Sequence, residues 1–403
     1  MLNGLRRLTS LAMAWAAMAV VAVVPPAMAE GGNVKIGMAI AQSGWMTAFD
    51  EDPSMAVRMA VKDINAKGGI LGRQVELLVA DTKTDPTQAA KVGTELVDQG
   101  IDFMIVSCDF DMGAPAALAA QNAGILAMSI CSGSPKWGPQ GVGPLVYTIS
   151  VAVQAESYLL AEWAKNKKGW NSAYALKETD YTYTRAECSG FQHHWKELPG
   201  TKFLGEDTYK VADTSIAVQI TRIKALPEKP DVILLCSTVT AMPSIIRQLR
   251  AAGITTPLMT SMGADGDYWL PSLPDLSDFY LPVHASIFGD DPNPDVRAFM
   301  ESFEKANGRR PTSSFALMGY SLMQGYQRAV ERAGTTDSEA VAAELNKFKD
   351  EPLLIGPRSF TPDIHIQTRV RGLMMEVQNG KMKSTGEYYM NETPVPFEVL
   401  FSE

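Results

Sequence analysis

The chain has 403 residues, too many for one compact domain and suited to two or three. Hydrophobic residues make up 46% and charged residues 20%, a balance that excludes a disordered or collagen-like polymer. A formal net charge of −9 opposes the basic face that nucleic-acid binding needs.

The N-terminus reads as an export signal. Arg6 and Arg7 precede an apolar run over 11–24, then Pro25-Pro26 and Ala27-Met28-Ala29. Small residues at the −3 and −1 positions suit a signal peptidase, so cleavage is expected after Ala29, with residues 1–29 removed and the mature chain periplasmic. The apolar core is shorter than the roughly 20 residues a bilayer span requires. No later segment reaches 18 apolar residues. Loss of the signal removes two arginines and no acid, taking the charge from −9 to −11. Export also changes the meaning of four cysteines, at 108, 131, 188 and 236. In an oxidising compartment an even count suggests disulfides, with three connectivities possible. Cys108–Cys131 and Cys188–Cys236 are favoured, because each pair stays within one domain and joins neighbouring elements; buried free thiols are the alternative. There is no CxxC, and the adjacent His193 and His194 diverge on a helix, so no metal site is expected.

Strands and helices then alternate. Short β-type runs are predicted at 33–39, 74–79, 102–107 and 125–130, separated by helices at 54–66, 86–98 and 113–123. The pattern restarts with an extended segment at 145–149 and a helix at 153–166. A strand at 172–176 and a helix at 184–198 follow, then a helix at 217–226 and a strand at 232–235. A helix at 240–252 and a strand at 257–260 complete this half. Helices at 295–307, 314–333 and 338–348 follow, and a strand at 372–377 lies in the tail. Continuous apolar strands alternating with helices indicate α/β lobes with parallel sheets covered on both faces. No low-complexity linker separates 33–148 from 149–281, which suggests short hinge strands rather than a flexible tether.

Several segments resemble a known family. Lys35-Ile36-Gly37-Met38-Ala39 with Ser43-Gly44, the run Ile64-Asn65-Ala66-Lys67-Gly68-Gly69-Ile70-Leu71-Gly72-Arg73, and Val79-Ala80-Asp81-Thr82 with Asp85-Pro86 resemble the opening of branched-chain amino-acid-type periplasmic binding proteins of ABC transporters. Gly124 through Ser129, Asp180-Tyr181-Thr182-Tyr183, Lys229-Pro230-Asp231 and Gly356-Pro357 continue the likeness over nearly all of the mature chain. The resemblance implies a type I periplasmic binding fold: two Rossmann-like lobes joined by three hinge crossings, near 149, 282 and 355, with ligand in the cleft. Lobe 1 would comprise 33–148 and 282–350, lobe 2 149–281 and 355–403. The implied function is capture of a small molecule by cleft closure and delivery to a membrane permease, by a monomer without cofactor.

Residues at the carboxyl ends of predicted strands are the natural cleft candidates. Trp45 and Phe49 are aromatics on a loop after the first strand and need a partner. Asp109 and Asp111 read as helix caps or ligand contacts, and Ser132 and Ser134 as turn residues or contacts. Motif matching adds further expectations. Phe110 falls where amino-acid binders usually carry a Ser for the carboxylate. Cys131 and Gly133 match positions that give backbone groups, with Gly133 in place of a customary Thr. Tyr183 matches a cleft tyrosine, Thr238 or Val239 a second cleft aromatic, and Met262 the carboxylate that faces a ligand ammonium; a three-residue slip would put Asp265 or Asp267 there instead. A buried ammonium needs a counter-charge, so these departures point away from an ordinary branched-chain amino acid. A larger apolar or aromatic carboxylate, or a small polar non-amino-acid, fits better. The chain carries no nucleophile-elbow, zinc-protease or phosphate-loop motif, so no enzyme is expected. A soluble sensor presenting its ligand to a membrane receptor is the alternative to transport.

Overall fold

The computed structural model describes residues 32–401. The expected export signal and its cleavage after Ala29 lie outside the described residues. Two sheets organise the rest. The first lobe is built on β1 (Val34–Ile40), β2 (Val75–Asp81), β3 (Phe103–Val106), β4 (Leu126–Ser129) and β5 (Val146–Thr148), all parallel in the order β2-β1-β3-β4-β5. Helices α1 (Thr47–Ala66), α2 (Pro86–Asp98) and α3 (Phe110–Asn122) make the crossovers. The four residues of β3 are all buried, as a central strand between two helical layers requires. At α2, Pro86 takes the first helical position, where its missing N–H costs nothing, and Asp85 accepts from the Gln88 N–H at 2.6 Å.

The second lobe follows through α4 (Val153–Lys168), β6 (Ser172–Glu178), α5 (Thr182–Glu197), β7 (Lys202–Tyr209), α6 (Ala217–Lys224), β8 (Val232–Cys236), α7 (Met242–Ala251), β9 (Leu258–Met259) and β10 (Phe279–Val283). The chain then returns to the first lobe as α8 (Pro294–Asn307), α9 (Ala316–Ala333) and α10 (Ser338–Leu345). Phe299 and Phe303 of α8 pack against Ala56 of α1, and Tyr326 of α9 stacks on Phe103 of β3 at 4.1 Å. A small ribbon, β11 (Glu351–Leu353) with β12 (Gly356–Arg358), leads back to β13 (Arg371–Gln378), β14 (Lys381–Met390) and α11 (Phe397–Leu400) in the second lobe. The second sheet runs β14-β13-β10-β9-β8-β6-β7, with β13 and β14 antiparallel to their neighbours. The chain therefore passes between the sheets three times: after Thr148, after Val283 and after Arg358.

Besides the short β11–β12 ribbon, three strands of the second sheet escape the sequence pattern, each for a physical reason. β7 and β14 are the two edges of the second sheet, so they need no continuous apolar run and carry charges instead. β10 contains Pro282, which normally argues against a central strand. It is tolerated because β9 pairs only with Phe279 and Tyr280, leaving no β9 partner at position 282. Helix α1 starts at Thr47, seven residues before the expected start, although Pro53 lies inside it. Its first turn is held by tertiary contacts. The fully buried Asp50 carboxylate accepts from the N–H groups of Ala41 and Cys108, each at 2.8 Å, and from Ser107 Oγ at 2.7 Å. That one side chain ties together the carboxyl ends of β1 and β3. Burial pushes it up to about 6.

Both disulfides have the favoured connectivity, Cys108–Cys131 and Cys188–Cys236. The first joins the loops after β3 and β4. The second ties α5 to the end of β8, with both cysteines fully buried.

Candidate functional site

A cavity of about 690 Å³, counted out to its mouth, lies between the lobes at the carboxyl ends of the parallel strands. The first lobe lines it with Trp45, Met46 and Phe49 after β1, Cys108 to Phe110 after β3, Cys131 to Ser134 after β4, and Phe315. From the second lobe come Glu156, Tyr181, Tyr183, Ser237, Thr238, Met262 and Gly263. Topology explains the convergence: crossover loops of parallel sheets all open at the same end, and the two lobes present those ends to each other.

Aromatic rings form most of the walls. Trp45 meets Tyr181 of the opposite lobe with centroids 5.3 Å apart, and meets Phe49 edge-on at 6.2 Å. Phe49 lies against Phe315 at 6.1 Å. Phe110, the first residue of α3, is held edge-on by the buried Trp137 at 5.2 Å. Tyr183 reaches between two glycines, one from each lobe. A Cβ on Gly133 would stand 3.3 Å from its ring, and one on Gly263 3.1 Å. A Thr at 133 would therefore crowd the Tyr183 ring, which accounts for the glycine there.

The polar groups cluster on the second-lobe side. Tyr183 Oη donates to Glu156 Oε2 at 2.9 Å and lies 2.9 Å from Ser261 Oγ. The Met262 N–H donates to the same Glu156 oxygen at 3.2 Å. Behind them, the fully buried Glu187 accepts from the Ser261 N–H at 2.8 Å. Burial pushes the Glu156 carboxyl up to about 8 and Glu187 well above the usual carboxylate range. Asp109 caps α3, accepting from the N–H groups of Asp111 and Met112 at 2.9 and 3.2 Å. Burial, reinforced by Asp111, raises it to about 7. Among the described residues no Lys or Arg lines the cavity, and burial raises both of its acids, Glu156 and Asp109, well above the usual carboxylate range.

Of the ten residues expected in the site, nine line the cavity: Trp45, Phe49, Phe110, Cys131, Ser132, Gly133, Tyr183, Thr238 and Met262. The tenth, Asp111, is placed elsewhere. Its carboxylate reaches across the lobes and accepts from Thr182 Oγ1 at 3.0 Å and from the Thr182 N–H at 3.1 Å. Thr238 directs its hydroxyl away from the cavity, to Glu178 at 2.9 Å. Neither Asp265 nor Asp267 supplies a cavity carboxylate: Asp265 accepts from the Ser314 N–H at 2.9 Å, and Asp267 pairs with Arg310 at 2.8 Å. Besides Asp109, which caps α3, the cavity is lined by the Glu156 carboxyl, which sequence matching missed. Its only signal was an acid within the apolar stretch of α4. Tyr181 and Phe315 were missed as well: Tyr181 meets Trp45 only across the lobes, and Phe315 reaches Phe49 only once the chain has returned to the first lobe.

Two α/β lobes, one with a parallel sheet and one with a parallel sheet extended by two antiparallel strands, three crossings and a cleft at facing strand ends define a type I periplasmic binding fold. A sequence profile of the periplasmic binding protein family matches residues 33–381, and the chain belongs to that family. The Leu/Ile/Val-binding protein BraC3 of Rhizobium johnstonii is 24% identical over 329 residues, covering 80% of this chain and 86% of that protein. The branched-chain amino acid transporter substrate binding protein LivJ from Streptococcus pneumoniae, in complex with isoleucine, superposes with a TM-score of 0.75 at 22% identity, covering 89% of this chain and 99% of its own. An ABC transporter solute binding protein from R. palustris, in complex with benzoate, gives a TM-score of 0.70 at 19% identity and covers 91% and 99%. The family is one of extracytoplasmic solute binding rather than catalysis.

Proposed function

We propose that the chain is the substrate-binding component of an ABC importer, and that it captures a small aromatic or apolar compound, a carboxylate among them, rather than leucine, isoleucine or valine. The supporting observation is the wall of aromatic rings from both lobes, with Met262 where an ammonium's counter-charge is expected. Closure brings Tyr181, Tyr183 and Thr238 against Trp45, Phe49 and Ser132, excluding water from a ligand held between them. A protonated Glu156 gives a ligand carboxylate a donor without opposing its charge. The benzoate-bound relative supports the same solute class. Ligand-bridged lobes would then present the cleft rim to the permease.

The test is a thermal-shift screen of aromatic acids, aliphatic acids and amino acids, followed by calorimetry, since a ligand of the native state stabilises it by mass action. Benzoate-type compounds should raise the melting temperature while leucine, isoleucine and valine do not. Micromolar binding of any of those three amino acids overturns the proposal.

A further inference from the structure

A second, larger cavity, about 870 Å³ counted to its mouth, lies at the hinge rather than in the cleft. All three crossings contribute to it: Val151 from the first, His284 from the second, and Arg358 with Gln367 from the third. Arg358 is only 3% exposed. Its Nε donates to the Ile149 carbonyl at 2.6 Å and its Nη1 to the Pro357 carbonyl at 2.9 Å. Its Nη2 is buried with no partner, and so is Nε2 of the neighbouring, 6% exposed His284. A buried donor without an acceptor is costly, and a buried guanidinium without a counter-charge more so. Arg369 and Arg371 also line this cavity, Arg371 stacked 3.7 Å over Tyr388. The lining holds two carboxylates, Asp295 and Asp350, against these three guanidiniums, leaving one positive charge in excess.

We propose that the hinge cavity is a binding site for a small oxyanion, inorganic or carboxylate, seated on Arg358 Nη2 and His284 Nε2 and drawn in past Arg369 and Arg371. Guanidiniums bind such groups through short, charge-assisted hydrogen bonds. Burial lowers Arg358 only to about 9, so it stays cationic at neutral pH. Burial and Arg358 together lower His284 to about 3, so it is a neutral imidazole, a donor in its Nε2–H tautomer. Because the occupant would touch the second and third crossings at once, its binding is linked to the geometry of the hinge and through it to cleft closure.

The test is calorimetry of the full mature chain with sodium sulfate and, separately, sodium succinate, in a buffer free of other oxyanions. Heat with sulfate alone identifies an inorganic site, heat with succinate alone a carboxylate site, and either supports the proposal. Arg358→Met should weaken binding at least about tenfold and Arg371→Gln about threefold. If Arg358→Met fails to fold by circular dichroism, His284→Gln takes its place with an expected loss of about tenfold. Crystals soaked in selenate should show an anomalous peak beside Arg358 Nη2. No heat with either anion at about 10 mM, unchanged affinity in the variants, or selenate only in the inter-lobe cleft overturns the proposal.

Discussion

Replacing Glu156 with Gln separates the chemistry of the cleft from its packing. The amide oxygen still accepts from Tyr183 Oη and from the Met262 N–H, so the local hydrogen bonds survive. What disappears is the titration. In the native state the carboxyl is pushed up to about 8 by burial, against 4.5 for the ordinary group. The folded protein therefore keeps a proton that the unfolded chain releases as pH rises above 4.5, and stability falls across that window until the native carboxyl also ionises near 8. Each pH unit in the window is worth about 1.4 kcal/mol, so the wild type is penalised by about 3 kcal/mol at pH 7 and by less than about 1 kcal/mol at pH 5. The variant should thus nearly match the wild type at pH 5 and exceed it by about 3 kcal/mol at pH 7. Urea unfolding followed by tryptophan fluorescence at both pH values measures the difference. Asp109 and Asp265, each raised to about 7 chiefly by burial, impose the same downward trend on both proteins and cancel in the comparison. A stability difference that is the same at pH 5 and pH 7 would refute the reasoning.

Four further outcomes are expected. Phe110→Ala and Tyr183→Ala should each weaken the solute found by screening by about 1–3 kcal/mol in calorimetry, since each removes an aromatic wall; unchanged affinity in both would remove the site. Asp111→Ala deletes two hydrogen bonds between the lobes, worth together about 2–3 kcal/mol, and should increase the radius of gyration of the ligand-free protein in small-angle scattering. Under native conditions dithiothreitol should reduce Cys108–Cys131, whose cysteines are 9% and 5% exposed at the cleft, before the fully buried Cys188–Cys236. Alanine at both 188 and 236 should destabilise the protein by about 4 kcal/mol, the loop-closure value for a separation of 48 residues, read by urea unfolding.

Much of this protein is legible in its order of residues. Apolar runs such as those at β3 and β8, separated by amphipathic helices, determine parallel sheets, because strands buried on both faces have no other way to read. The aromatics and small residues after β1, β3 and β4 marked one wall of the cleft, since strand ends in such sheets converge whatever their loops contain. The rest belongs to the tertiary structure. Edge strands β7 and β14 carry no hydrophobic pattern because only their neighbours require them. Asp111 and Glu156 show the same division at the site. As residue types both are acids near helix starts, yet one is spent on Thr182 across the lobes while the other enters the cavity. The sequence by itself settles the α/β class and the family. That Glu156 enters the cavity between the lobes, and that its carboxyl is raised there, is decided by how the folded chain buries it.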